Sequence, residues 1–471
     1  MIREALVFIY VFVFSFYAFI NWYRSLCALT LLMAFIRHPD MPRTLLGIQG
    51  LTPWNMLLVA VLLGCLVNKN AERLRWDMPG KVTLLLLAYV IVIVIAFIRM
   101  YLDSGGIIDY ALLRGVTPPT GKDLISEHLI NPIKWLIPGM LFFYGCNSMD
   151  RFKEGIYSIL GVYFLLAVQV VRWMPLRFLH ASGYIMQRRA AKLLARNIGY
   201  FRVTLAMMLG GGFWAIFLAR RLHKSMIARL SLLMASFTSL FALALTGGRA
   251  GFLAWIGTGL AVSWFKYRRY FLFIPLVVLI LITTVPSFKE RLEEGLKPDD
   301  SSEEIYVGDV EVNLKKLTSG RVLAWPLVIE KIKESPFFGY GLRAMERLGI
   351  ATYIWTELHE IFGHPHNAYL RCLLNNGLIG CVLVLALYLL MLKYSISLFR
   401  DTRSLIFETA GGVAFAIIMA FFIACMGGQT FFPREDSVPM WAAIGIMLRL
   451  YVQRQKLEGK EGPILDEALW G

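Results

Sequence analysis

Polar sequence is what this chain has least of. Charged side chains make up 17% of its 471 residues, apolar ones 58%, and the mean hydropathy is +0.61. A soluble chain of this length buries one or two cores beneath a polar surface, and there is too little polar sequence here to cover them. Acidic residues are the sparsest, 32 Asp and Glu against 48 Lys and Arg, for a formal charge of +16. No aromatic-interleaved basic groove or DNA-binding motif accompanies that excess, so nucleic acid is not expected as a partner. Most of it is the cytoplasmic Lys and Arg bias of membrane proteins, with a remainder that can serve an anionic substrate. The six cysteines (Cys27, Cys65, Cys146, Cys372, Cys381 and Cys425) include no CxxC pair and no metal-ligand spacing to histidine. All six lie in or beside apolar runs, which excludes a disulfide framework and leaves buried reduced thiols. One early Arg and no small-residue cleavage site before Asn21 predict that the first apolar run is kept as a membrane helix. Repeats and low-complexity tracts are also missing.

What the chain does have is apolar runs of a length that crosses a hydrocarbon core. They fall at 5–20, 24–36, 51–67, 80–101, 130–147, 153–171, 199–219, 227–246, 250–265 and 270–286. After a polar interval come 367–393, 404–426 and 438–452. The first two are short and separated only by Asn21-Trp22-Tyr23-Arg24. The expected fold is therefore an all-α polytopic membrane protein, a bundle of about 12–13 transmembrane helices with one large outer loop. Three parts follow: an N-terminal bundle (1–286), the loop (287–366), and three C-terminal helices with a tail (367–471).

Alternate short connections are basic: Lys69, Arg73, Arg75 and Lys81; Arg151 and Lys153; Arg220, Arg221, Lys224 and Arg229; Lys266, Arg268 and Arg269. The positive-inside rule places these in the cytoplasm, with the tail bearing Arg454, Lys456 and Lys460, and puts 37–50, 102–129, 247–250 and 287–366 outside. Segment 172–198 breaks the pattern, carrying Arg172, Arg177, Arg188, Arg189, Lys192 and Arg196 on the outer side. It reads either as an interfacial amphipathic helix or miscounted span, or as a basic platform for phosphate groups, with Arg189, Lys192 and Arg196 on one helical face. Within the loop, the run from Glu293 to Glu304, Asp299-Asp300 included, reads as a solvated acidic segment. Val322 to Ile332 has helical spacing, and Phe337-Phe338-Gly339-Tyr340-Gly341 reads as a tight apolar turn.

Three positions carry the chemistry, all on the predicted outer side. Arg249 lies in Thr246-Gly247-Gly248-Arg249-Ala250-Gly251, a short turn between spans. An arginine so near hydrocarbon either snorkels to water or meets an anion. Arg321 follows Ser319-Gly320 at the start of the loop's apolar helix, where backbone N–H groups favour phosphate; a surface salt bridge is its plain alternative. His366 closes His364-Pro365-His366-Asn367 at the foot of an apolar helix, and an imidazole can take a proton at neutral pH. Its alternatives are a zinc site with His359 and His364, whose shell lacks a Cys and is restricted by Pro365, and a helix-capping role. Gly377 and Gly380 follow His366 three residues apart, and on one helix face they let a neighbouring helix pack close.

The spacing His366-Asn367, Gly377, Gly380, with the Gly-Gly-Arg249 turn, Gly-Arg321 ahead of Trp325, and Pro336 to Gly341, resembles the O-antigen ligase and polymerase superfamily. The resemblance covers residues 245–395; Gly248 stands where the family usually has Ser. It implies a GT-C-like helical bundle in the bacterial inner membrane, its site facing the periplasm. It further implies inverting transfer of a glycan from a polyprenyl (undecaprenyl) diphosphate donor to an acceptor hydroxyl. Ligation to lipid A–core is preferred over polymerisation or protein glycosylation. Arg249 and Arg321 would bind the diphosphate bidentately while His366 acts as general base. Asn367, Tyr369, His364, Arg189 and Arg196 are auxiliary candidates. The partners are the donor, a glycolipid or glycan acceptor, and membrane lipid. No cofactor and no metal is expected, and the chain lacks the Asp-x-Asp of nucleotide-sugar enzymes. The rival class is a lipid or polysaccharide transporter, which calls for broken helices or paired charges near span centres.

Overall fold

A computed structural model describes residues 2–45, 47–48, 50–72, 74, 76–175, 183–284, 289–290, 305–307, 310–312, 321–428 and 430–457. The acidic run Glu293–Glu304, Ser319-Gly320, Arg73, Arg75, Arg177 and Lys460 fall outside the described residues.

Each apolar segment marked by hydropathy is helical. In chain order the longer described helices are α1 (Ile2–Tyr17), α2 (Trp22–Leu31, carried on by a 3-10 turn Leu32–Ala34), α3 (Pro53–Asn68), α4 (Gly80–Leu102), α5 (Asn131–Gly145), α6 (Met149–Trp173), α7 (Gly183–Asn197), α8 (Arg202–Ala219), α9 (Met226–Thr246), α10 (Arg249–Phe265), α11 (Tyr270–Thr284), α12 (Trp325–Glu334), α13 (Ala368–Phe399), α14 (Leu405–Cys425) and α15 (Val438–Lys456), with short helices at Gly105–Leu113, Gly121–Ile125, Ala344–Arg347 and Ile350–Glu357 between them. Six of them, α4, α6, α8 with its extension to Leu222, α9, α13 and α14, are long and apolar enough to cross a membrane; α1, α3 and α11 are shorter apolar helices. The chain is thus an all-α, multi-pass membrane protein. Its described strands are one short antiparallel pair in the loop, Ile305–Val307 with Val310–Val312.

Local chemistry sets the helix starts. Thr52 accepts from Asn55 N ahead of Pro53 at the first turn of α3; Ser148 accepts from Arg151 N at α6, and Ser404 from Ile406 N at α14. Apolar packing then decides which helices are central. The crossing windows of α8 and α14 are each 83% buried, against 28% for α4 and α9, so α8 and α14 run through the middle. Trp214 on α8 stacks on Trp255 of α10, and its indole N–H donates to the Trp255 carbonyl at 2.8 Å.

Ion pairs gather the basic connections at one end of the bundle. Arg24 meets Glu154 (2.8 Å), Arg151 meets Glu72 (2.6 Å), Arg449 and Lys456 share Asp77 (2.6 Å each), Arg454 meets Asp401 (2.8 Å) and Lys266 meets Glu408 (3.0 Å). The other end holds the turn before α10, the amphipathic α7, the described part of the loop and the connection 426–437. There Arg37 pairs with Glu435 and Arg347 with Asp103.

The two signature glycines do not form one packing face, as their spacing predicts. Gly377 interrupts α13 with φ +63° and ψ −171°, a conformation essentially reserved for glycine. A β-carbon there would lie 2.3 Å from the carbonyl carbon of Phe337. The Ser335–Gly341 turn lies in the break and completes its hydrogen bonds. Tyr340 and Gly341 N–H donate to the carbonyls of Leu374 (2.9 Å) and Asn375 (2.6 Å), while Leu378 and Ile379 N–H donate to those of Pro336 (2.7 Å) and Phe337 (3.2 Å). Helical backbone freed inside a membrane must be paired by protein, and this loop does so.

Candidate active site

Arg249 opens α10 directly after α9. Gly247 ends α9 in the left-handed region (φ +60°), and Gly248 N–H donates to Thr246 Oγ1 at 3.2 Å, which turns the chain within two residues. A β-carbon at Gly248 would lie 2.5 Å from the β-carbon of Ala206, so the family's serine has no room here unless α8 gives way. Arg202 of α8 donates to the Gly247 carbonyl at 3.2 Å and braces the turn.

Arg321 begins a 3-10 turn, Arg321–Leu323, just ahead of α12. Its guanidinium is half-buried and held below the ordinary arginine range, first by burial and then by the charge of Arg249. The described residues offer it no hydrogen-bond acceptor or ion-pair partner. The two arginines, far apart in sequence, therefore share one electrostatic environment, which an anion would relieve.

His366 takes the left-handed region at φ +50°, unusual for a residue with a side chain. His364 makes this possible: its Nδ1 accepts from His366 N–H at 3.2 Å, and the two rings lie 4.1 Å apart. Accepting at Nδ1 means that neutral His364 carries its proton on Nε2. Phe362 closes the other side, edge to face with His366 at 5.3 Å. Burial, then the charges of Arg321 and Arg371, push the His366 imidazole down to about 4; burial and then Arg371 hold His364 well below the ordinary range. Both rings are neutral at pH 7. Among the described residues, no three His, Cys, Asp or Glu side chains gather as a metal shell.

The connection after α14 brings the three together. A β-carbon on Gly427 would sit 3.1 Å from that of Ala250, next to Arg249, and 3.8 Å from Arg321 Nη1; one on Gly428 would sit 3.5 Å from His366 Nδ1. Gly427-Gly428 thus lies against Arg321, His366 and Ala250, the residue after Arg249.

The auxiliary candidates are distributed differently. Asn367 caps α13, its Oδ1 accepting from Tyr369 N (3.0 Å) and Leu370 N (3.2 Å), and Tyr369 OH donates to the Phe422 carbonyl at 3.1 Å. Both side chains hold the foot of α13 in place. On α7, Met186, Ala190 and Leu194 are buried while Arg188, Arg189, Lys192 and Arg196 face outward. Met186 reaches within 3.9 Å of a β-carbon position on Gly247, so the basic helix packs against the turn that carries Arg249. No described contact brings Arg196 to His366.

Sequence reasoning missed Arg371, one turn into α13, and Arg434, which together add cationic charge around His364. A charged side chain one turn inside an apolar helix was the available signal.

The architecture and this grouping define a multi-pass membrane protein with a cationic, imidazole-bearing site at one end of its bundle. Residues 234–385 match the family model described as O-antigen ligase, a segment that holds Arg249, Arg321, His366 and Gly377. Over 161 residues the chain is 29% identical to a Rickettsia conorii protein bearing a provisional polysaccharide-ligase name, a stretch that spans 33% of this chain and 37% of that relative. Over about a third of its length the chain is thus similar to the O-antigen ligase family and to a polysaccharide-ligase-named relative.

Proposed function

We propose that the protein transfers a glycan from a polyprenyl diphosphate carrier to an acceptor hydroxyl, by a single inverting displacement that requires no metal. The observation that carries this reading is the approach of Arg321 and His366 to the Gly427-Gly428 turn, with Arg249, whose neighbour Ala250 meets the same turn, in charge range of Arg321. The anomeric C–O bond of such a donor is already activated. The protein has to stabilise the departing diphosphate and remove a proton from the incoming hydroxyl. Two guanidinium groups that press on each other suit the first task, and a neutral imidazole suits the second. Diphosphate on Arg321 offsets one of the charges that depress His366, so donor binding makes the base stronger when it is needed.

Ligation to a lipid A–core acceptor is the favoured form; chain polymerisation and protein glycosylation share the same donor chemistry. The bundle would lie in the bacterial inner membrane, with this end facing the periplasm and the donor's tail between the helices. The break at Gly377 gives a specific reason to keep the transporter reading, since broken helices mark transporter sites. Here, however, the break is splinted by the loop and lies near the helix foot. Reconstituted protein given a polyprenyl-diphosphate glycan and candidate acceptors decides between them. Formation of a covalent glycan–acceptor product, lost in His366→Ala, supports transfer, whereas movement of intact donor across the bilayer without product supports transport.

A further inference from the structure

Arg371 has a place of its own in this site. Its backbone N–H donates to the Asn367 carbonyl at 2.9 Å, which sets it one turn into α13. The side chain is half-buried and borders a small cavity between α4, α13 and the connection after α14. No described residue offers its guanidinium a hydrogen bond or an ion pair. Glu346, the carboxylate in electrostatic range, is already paired with Arg343, and Arg434 and Arg343 add further positive charge. A half-buried guanidinium among other cations is stabilised by an anion.

The lining answers that charge with donors. Asn375, only 5% exposed, and Asn376 and Thr430 border the same cavity as Arg371. The Asn375 amide has no described side-chain partner, and that of Asn376 makes only a long contact of 3.6 Å to Cys372 Sγ. The cavity itself is ≈ 20 Å³, room for roughly one water. What fits among these donors is a single oxyanion group, with the rest of its molecule outside.

We propose that Arg371, Asn375, Asn376 and Thr430 form a second anion subsite that takes an acidic group, a carboxylate or a phosphate, carried on the acceptor glycan. Arg249 and Arg321 already account for the donor's diphosphate, and His366 feels the charge of Arg321 first and of Arg371 second. A base set between two cationic positions has one for each substrate. Assignment to the acceptor rests on the transfer reading above; the anion site itself does not.

The test uses the full chain in lipid nanodiscs, with thermal unfolding as the readout and pyrophosphate, glucuronate and glucose as probes. The wild type should be stabilised by pyrophosphate and glucuronate and not by glucose. R371Q should weaken the glucuronate response at least tenfold and leave the pyrophosphate response in place, with R371K between. R249Q/R321Q should do the reverse. If R371Q does not fold, N375A carries the same expectation. A glucuronate response that is equal in R371Q or N375A and in wild type overturns the subsite, as does one lost only in R249Q/R321Q. Transfer to a carboxylate-bearing acceptor and to its carboxyl-reduced form then tests the assignment. A preference that R371Q abolishes supports it, and a preference unchanged in R371Q overturns it. Absence of any transfer, with the binding pattern intact, counts against the proposed function and not against the subsite.

Discussion

The indole N–H of Trp325 donates to the carbonyl of Pro365 at 2.9 Å. That bond ties the first residue of α12 to the middle of the His-Pro-His stretch, and so fixes Arg321, four residues upstream, against His366. The loop is thereby fastened where Arg321 and His366 approach the same pair of glycines. Trp325→Phe keeps most of the ring and removes the donor. We expect a stability loss of about 0.5–1.5 kcal/mol, read as a small fall in Tm. The fall in kcat/KM should be larger than that energy accounts for, because Arg321 is then misplaced. Unaltered kcat/KM would show that the bond serves only folding.

Removal of the base is the sharpest change. His366→Ala should lower kcat by ~10²–10⁴-fold, the range for general-base catalysis. Because His366 also lies in a left-handed backbone conformation, thermal unfolding should accompany the assay. A variant of normal Tm that retains near-wild-type transfer would rule out His366 as the base.

The pH dependence follows from the same imidazole. Neutral His366 is the active form, and burial with two arginines holds it down to about 4 in the free protein. Activity is lost as pH falls through that value, so kcat/KM should stay level from neutral pH to well below 6 before it declines. With donor bound, the charge of Arg321 is offset and the acid limb of kcat should lie at higher pH than that of kcat/KM. R321Q removes one of the depressing charges and should move the kcat/KM limb upward. Coincident limbs, unmoved by R321Q, would contradict the assignment.

The two arginines should tolerate lysine poorly. A single ammonium cannot offer the parallel donors of a guanidinium. Arg249→Lys and Arg321→Lys should each recover only part of the ~10²–10³-fold loss expected for alanine, the range for removing one charge-stabilising donor. Full recovery by lysine in steady-state kinetics would mean a point charge is enough.

Gly377→Ala tests the splinted break. Alanine meets both a glycine-only backbone conformation, costing about 1–3 kcal/mol, and the Phe337 backbone 2.3 Å away. We expect a marked fall in Tm and lower yield, with Gly380→Ala milder because its tightest contact is the Asn376 side chain of its own helix. Equal tolerance of both substitutions would restore the simple picture of a small-residue packing face.

Much of this fold was legible because membrane burial acts on composition within a single segment. Apolar runs mark the helices whatever packs against them, and alternating Lys and Arg mark which connections share an end. The signature around His366 was likewise local. Its physical meaning was not, since Gly377 and Gly380 look like a helix face until Phe337 is known to lie in the break. Asn367, expected only as an auxiliary site residue, is in the structure the cap of α13, where it accepts two backbone N–H groups.

By itself, then, the order of residues determined an all-helical membrane chain and singled out Arg249, Arg321 and His366 as candidates for its chemistry. Only the tertiary structure decided that Arg321 and His366 approach Gly427-Gly428 with Ala250 beside them, that a loop repairs α13, and that Arg371 stands near the histidines without a described acceptor. The reason is range: hydropathy is a property of neighbours in sequence, whereas mutual charge effects and hydrogen bonds across a broken helix depend on distances that packing alone sets.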